Sequence, residues 1–240
     1  MILSNNVSRE RIILQVIFSL VIVLFFWEQN KYVSHWIVEL FSPMKLYTTA
    51  IHEAWHAIAC IMTGGEVAEI SLSLDTSGFT MTRGGIFILI STAGYIGSAL
   101  TGALLIISAK NTLLSKILLL LVCSVIVGLN IIYIDSYLSI AFLNSIIISF
   151  GLIYLIFKNY DTTNISIFLG TILAVDSFED IKKIVFYMSD TSDAGILAKY
   201  FGIPFLSLPI AIIFSMVSMY IWYRSIKYLI NNWNPCSTSL

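Results

Sequence analysis

Charge is scarce in this chain. Asp, Glu, Lys and Arg make up 11% of its 240 residues, while 58% are hydrophobic and the mean hydropathy is +0.90. A soluble domain carries about twice that share of charge, so a water-facing surface is excluded over most of the chain. A basic excess is also lacking. The 13 Lys and Arg against 14 Asp and Glu leave a net charge of -1, which excludes the phosphate-neutralising surface that nucleic-acid binding requires. Cysteine is limited to Cys60, Cys123 and Cys236, odd in number and far apart, which excludes a disulfide framework. Only three histidines occur, at positions 35, 52 and 56.

Long apolar runs fill the space that charge leaves. Ile12 to Trp27, Gly84 to Ala109, Ile117 to Ile134, Ser136 to Phe157 and Tyr200 to Tyr223 contain no Asp, Glu, Lys or Arg, and Thr162 to Val175 is a weaker run. A hydrocarbon core requires about 20 apolar helical residues, because unsatisfied backbone groups cannot face lipid. The first run follows Arg9 and Arg11 as in a signal sequence, but Trp27, Glu28, Gln29 and Asn30 offer no small-residue cleavage site, so it reads as an uncleaved anchor. Met44 to Met62 is a seventh candidate helix, although Lys45, His52, Glu53 and His56 lie within it. Ionisable groups at membrane depth are costly and mark function.

Between Gly64 and Gly85 the period changes to two. Ile70, Leu72 and Leu74 alternate with polar residues, Asp75 to Gly78 reads as a turn, and the alternation resumes at Phe79 and Met81. This predicts a β-hairpin at the membrane surface or dipping into it. The fold expected is therefore an all-α membrane protein, a bundle of about six to seven transmembrane helices with a small β-hairpin after the polar helix. Residues 1–240 form a single multi-pass domain in this reading. Seven crossings would gather Arg9, Arg11, Arg83, Lys182, Lys183 and Lys199 on one side and the other seven cations opposite, so positive charge does not orient the chain.

His52, Glu53, Ala54, Trp55 and His56 form an H-E-x-x-H pattern. A spacing of four on a helix puts both imidazoles on one face. Two such nitrogens can ligate one Zn²⁺ at about 2.0 to 2.1 Å, with Glu53 as general base on the metal-bound water. With so few histidines, the pattern arises by chance about once in a thousand chains of this composition. A hydrolytic zinc site needs a third protein ligand and one open position. Candidates are His35, in a polar connection before the helix, Cys60, one turn beyond His56, and the acids Asp176, Asp190 and Asp193. Asp193 opens an apolar helical pattern through Ile196, Leu197 and Tyr200, where it is also a natural N-cap. A carboxylate would bring the charge of Zn²⁺ with hydroxide to zero, which favours an acid without selecting among the three. If the four runs between Gly84 and Val175 all cross, the chain returns to the side it left, and Asp193 can meet the two histidines.

These features resemble the site-2 protease class of intramembrane zinc metalloproteases, peptidase family M50, and most closely its M50B-like branch. The resemblance is carried by IHEAWHAIA (Ile51 to Ala59), Thr63 with Gly64 and Gly65, AGYIGSALTG (Ala93 to Gly102) and SDAGILAKYFGIP (Ser192 to Pro204). It implies one zinc ion held by His52, His56 and a distant aspartate, matched here by Asp193, with Glu53 as general base. It also implies cleavage of peptide bonds in transmembrane or membrane-associated protein substrates within the bilayer. The family often has Gly where this chain has Trp55, and no NPDG-like motif is present. An alternative reading is a protease-like membrane scaffold that no longer hydrolyses. Gly94, Ser98 and Gly102 form a small-residue stripe suited to close helix packing, and Tyr95 and Asn130 read as structural hydrogen-bonding residues.

Overall fold

The computed structural model describes residues 10, 12–21, 35–73, 77–133, 140–178, 181, 184–185 and 192–232. In chain order the elements are α1 (Ile12–Val21), α2 (His35–Met62), β1 (Glu66–Leu72), β2 (Gly78–Arg83), α3 (Phe87–Ser108), α4 (Thr112–Tyr133), α5 (Ile140–Phe157), α6 (Thr163–Val175), α7 (Asp193–Tyr200) and α8 (Ser207–Asn232). Phe87–Ser108, Thr112–Tyr133 and Pro204–Asn232 are long and apolar enough to cross a membrane, whereas Ile12–Val21, Leu143–Phe157 and Thr163–Val175 are shorter apolar helices. The 13 residues of α6 reach about 20 Å, short of a hydrocarbon core of about 30 Å.

Polarity is distributed inside out. Ile147, Ile132 and Met216 point outward at 69%, 66% and 66% exposure, while Ser115, Ser145, Ser149, Thr162, Ser166 and Thr171 are fully buried. Water would penalise this arrangement; hydrocarbon penalises an outward hydroxyl instead and leaves helix contacts to small and hydroxyl residues. Ser115 Oγ, for example, meets Thr162 Oγ1 at 2.8 Å and Ser166 Oγ at 2.7 Å, joining α4 to the start of α6.

The main core surrounds α2. Leu46, Tyr47, Ala50, Ile51 and Ala54 pack with Leu105 of α3, Leu119 and Ile126 of α4, and Leu169 and Leu173 of α6. α3 crosses α6 backbone to backbone: a Cβ at Gly102 would lie 2.6 Å from the Gly170 carbonyl oxygen, and one at Gly170 would lie 2.5 Å from that of Gly102. Ile12 and Val16 of α1 pack with Ile106, Ala109, Ile167 and Leu229. Ile12 and Val16 therefore lie at the end of α3 that leads into α4.

Two expectations about helix limits are corrected. α2 begins at His35 and runs through Pro43, so His35 opens the helix rather than lying in a connection before it; the Pro43 carbonyl accepts a hydrogen bond from Asn144 Nδ2 at 2.8 Å. The run from Tyr200 to Tyr223 is not one helix. Gly202 adopts φ +70°, closing α7, and Pro204 starts a 3₁₀ turn before α8, which continues to Asn232. Hydropathy does not register a Gly-x-Pro break.

The hairpin forms as read, with β1 antiparallel to β2 and Ile70 opposite Thr80, Ser71 opposite Phe79 and Leu72 opposite Gly78. Leu74, Asp75 and Thr76 lie outside the described residues. α2 stops in a Schellman arrangement, with Gly65 N–H bonded to the Cys60 carbonyl at 2.8 Å, Gly64 N–H to that of Ile61 at 3.1 Å, and Gly64 at φ +81°. Such a stop requires a residue free to adopt the left-handed conformation. An irregularity between Val67 and Glu69 resets the alternation, so Val67, Ile70 and Leu72 all bury. The sheet thereby lies against α2.

Candidate metal centre

His52 and His56 project from one face of α2, as their spacing requires, with ring centroids 4.9 Å apart. α7 brings the third group. Ser192 caps that helix by accepting the Gly195 N–H at 3.1 Å, and Asp193, the first helical residue, is left free to point at the imidazoles. Its Oδ2 lies 2.8 Å from His52 Nε2 and 3.1 Å from His56 Nε2. The N-cap alternative for Asp193 is thus taken by its neighbour.

The His56 Nδ1–H donates to the Ile90 carbonyl at 2.6 Å. That contact orients the ring and leaves Nε2 as the inward-facing nitrogen. A nitrogen lone pair and a carboxylate oxygen at such short range repel unless a proton or a metal ion lies between them. His52, His56 and Asp193 each offer one ligand atom, all within 4.8 Å of one another. The residue facing them is Gly94: a Cβ there would lie 2.5 Å from His56 Nε2 and would collide with His52 Nε2 as well. The donor set and the cradle left by the missing side chain both fit one Zn²⁺.

This arrangement lies within a sequence that the model of the Peptidase M50B-like family matches over residues 16–225. The chain belongs to that family. No curated protein and no solved structure matches it. The H-E-x-x-H helix is embedded among apolar helices, and His52, Glu53 and His56 are 8%, 5% and 6% exposed. The Asp193 side chain is 21% exposed, so the M50B-like centre is most open on the α7 side. Tyr95 closes another side, edge-on to His52 with centroids 4.5 Å apart and stacked on Phe214 at 5.5 Å.

Glu53 points to the hairpin, where its Oε2 accepts a hydrogen bond from Thr80 Oγ1 at 2.7 Å. Trp55 does not crowd the histidines. Its ring fills the notch at Gly97, where a Cβ would overlap the indole, and its Nε1–H donates to Thr101 Oγ1 at 2.9 Å. Two of the remaining candidates lie elsewhere. Asp176 caps the end of α6, and Cys60 packs with Ala57, Val67, Ile70 and Ile90. Asp190 and the side chain of His35 lie outside the described residues. Asn130 donates to Ser145 Oγ at 2.7 Å across the α4–α5 contact.

Sequence reasoning missed two residues at this centre. Gly94 was grouped with Gly102 as packing; Gly102 packs, but Gly94 faces the imidazoles. Thr80 carried no signal beyond its place between Phe79 and Met81, because alternation identifies two faces without saying which one points inward.

Proposed function

We propose that this M50B-like chain is an integral, multi-pass membrane protein that acts as an intramembrane zinc metalloendopeptidase, with His52, His56 and Asp193 as ligands and Glu53 as general base. The observation carrying this reading is the convergence of two imidazoles and one carboxylate opposite Gly94. Zinc held by these three residues would supply a Lewis acid able to lower the pKa of water towards about 7. Glu53 accepts a proton from the attacking water and delivers it to the leaving amine. The Ile90 carbonyl fixes the His56 ring, and the helices around α2 exclude bulk water.

The substrate class follows from the setting. A transmembrane or membrane-associated protein segment reaches a site enclosed by apolar helices without leaving the bilayer, but a helical segment must first unwind because its scissile amide is already hydrogen-bonded. The hairpin offers backbone groups to an extended peptide, replacing the bonds that the helix gives up.

Glu53→Gln tests the reading. The variant should retain zinc while cleavage of a fluorogenic peptide containing an apolar helix falls by a factor of about 10² or more. Equal turnover by the variant and the native chain contradicts the assignment, and a scaffold would retain its partner in both.

A further inference from the structure

We propose that Thr80 is a positioning residue for Glu53, which makes the second strand of the hairpin part of the proton-transfer apparatus. This rests on the protease reading above. The Thr80 hydroxyl is 2.7 Å from Glu53 Oε2 and 3.1 Å from the Glu53 backbone carbonyl. Its single proton is directed chiefly to the carboxylate, the closer and more strongly accepting partner.

The strand is built for this contact. In β2, Phe79 and Met81 are each 50% exposed, while the polar residue between them faces α2. Register fixes the choice, because Thr80 pairs with Ile70 and Gly78 with Leu72, and both partners are buried against the helix bundle. A slip of one residue would exchange Thr80 for an apolar side chain. Gly78 supplies the clearance: a Cβ there would lie 2.9 Å from Glu53 Cγ and 3.0 Å from Oε1.

A glutamate side chain has several rotatable bonds, and a general base is effective only within hydrogen-bond reach of its proton. Thr80 restrains one carboxylate oxygen and leaves Oε1 with its lone pairs for the proton taken from water. Thr80 itself keeps its proton throughout. Because Glu53 is held by the hairpin that also offers backbone to a peptide, seating an extended substrate and aligning the base involve the same element.

Thr80→Val removes the hydroxyl while keeping the branched shape, and Thr80→Ser keeps the hydroxyl. With full-length protein in detergent and the same fluorogenic peptide, Thr80→Val should lower kcat about tenfold or more, with KM and zinc content unchanged. Thr80→Ser should recover most of the loss. A Thr80→Val enzyme with native kcat, or equal losses in both variants, overturns the proposal while the protease reading stands. Co²⁺-loaded protein provides a readout independent of turnover: the visible bands of Thr80→Val should move towards those of Glu53→Gln, and those of Thr80→Ser should overlay the native spectrum. Bands unchanged in Thr80→Val also overturn it. Native protein that binds no metal, or binds it and cleaves nothing, counts against the protease reading instead.

Discussion

The carboxylate of Asp193 lies 2.8 Å from His52 Nε2, although 141 positions separate the two residues. Adjacent residues at the start of α7 divide the work: Ser192 satisfies a backbone amide, and Asp193 faces the imidazoles. The two roles predict separable variants. Ser192→Ala should lower stability by about 1 kcal/mol, the usual cost of losing a cap, with zinc affinity close to native. Asp193→Asn should preserve the fold and weaken zinc binding by at least tenfold. Chelator competition beside thermal unfolding distinguishes them; a Ser192→Ala variant that loses metal as badly as Asp193→Asn would contradict the division.

Gly94 and Gly102 belong to one stripe on α3 and should respond differently to a methyl group. Gly94→Ala places carbon where the ligand atoms converge, so zinc content should fall sharply while the unfolding temperature of the metal-free protein changes little. Gly102→Ala pushes against the Gly170 backbone, and overpacking of this kind costs about 1–3 kcal/mol. Its folded fraction should still bind zinc. Metal content per folded molecule is the measurement, and equal content in the two variants would refute the distinction.

Trp55 and Gly97 fit as knob and notch. Trp55→Ala should destabilise the α2–α3 contact by about 3 kcal/mol, through lost packing and the unpaired Thr101 hydroxyl. Gly97→Ala should also destabilise the native chain, yet cost much less in the Trp55→Ala background, where the indole is gone. A double-mutant cycle read by thermal unfolding checks this, and additivity of the two changes argues against direct contact.

Leu72→Pro places an imino acid in β1, opposite Gly78. It removes a strand N–H and disturbs the sheet edge. Turnover of a helical peptide should fall while zinc content holds, because the proposed ligands come from α2 and α7. Native turnover in this variant would remove the hairpin from substrate binding.

Much of this architecture was legible because its physical causes are local. Charge-free runs marked α3, α4 and α6 within a few residues, since a lipid-facing helix tolerates little charge. The spacing of His52 and His56 fixed their common face, and the alternation at Ile70 and Leu72 marked the hairpin. The errors occurred where a single residue outweighs the average. Gly202 and Pro204 divide a run that hydropathy reads as continuous, and α2 passes through Pro43 to His35. Asp193 was one of three acids until α7 placed it beside the histidines. Gly94 and Thr80 were harder still, because their importance depends on which neighbour faces them, and one sequence does not reveal facing partners.

The most direct test is metal analysis of the purified full-length chain after zinc replenishment, alongside His56→Ala and Asp193→Ala. The native protein should hold one zinc per molecule, and each folded variant should retain well under half of that. Native protein that stays empty, or variants that load zinc as fully as the native chain, would contradict the proposed centre.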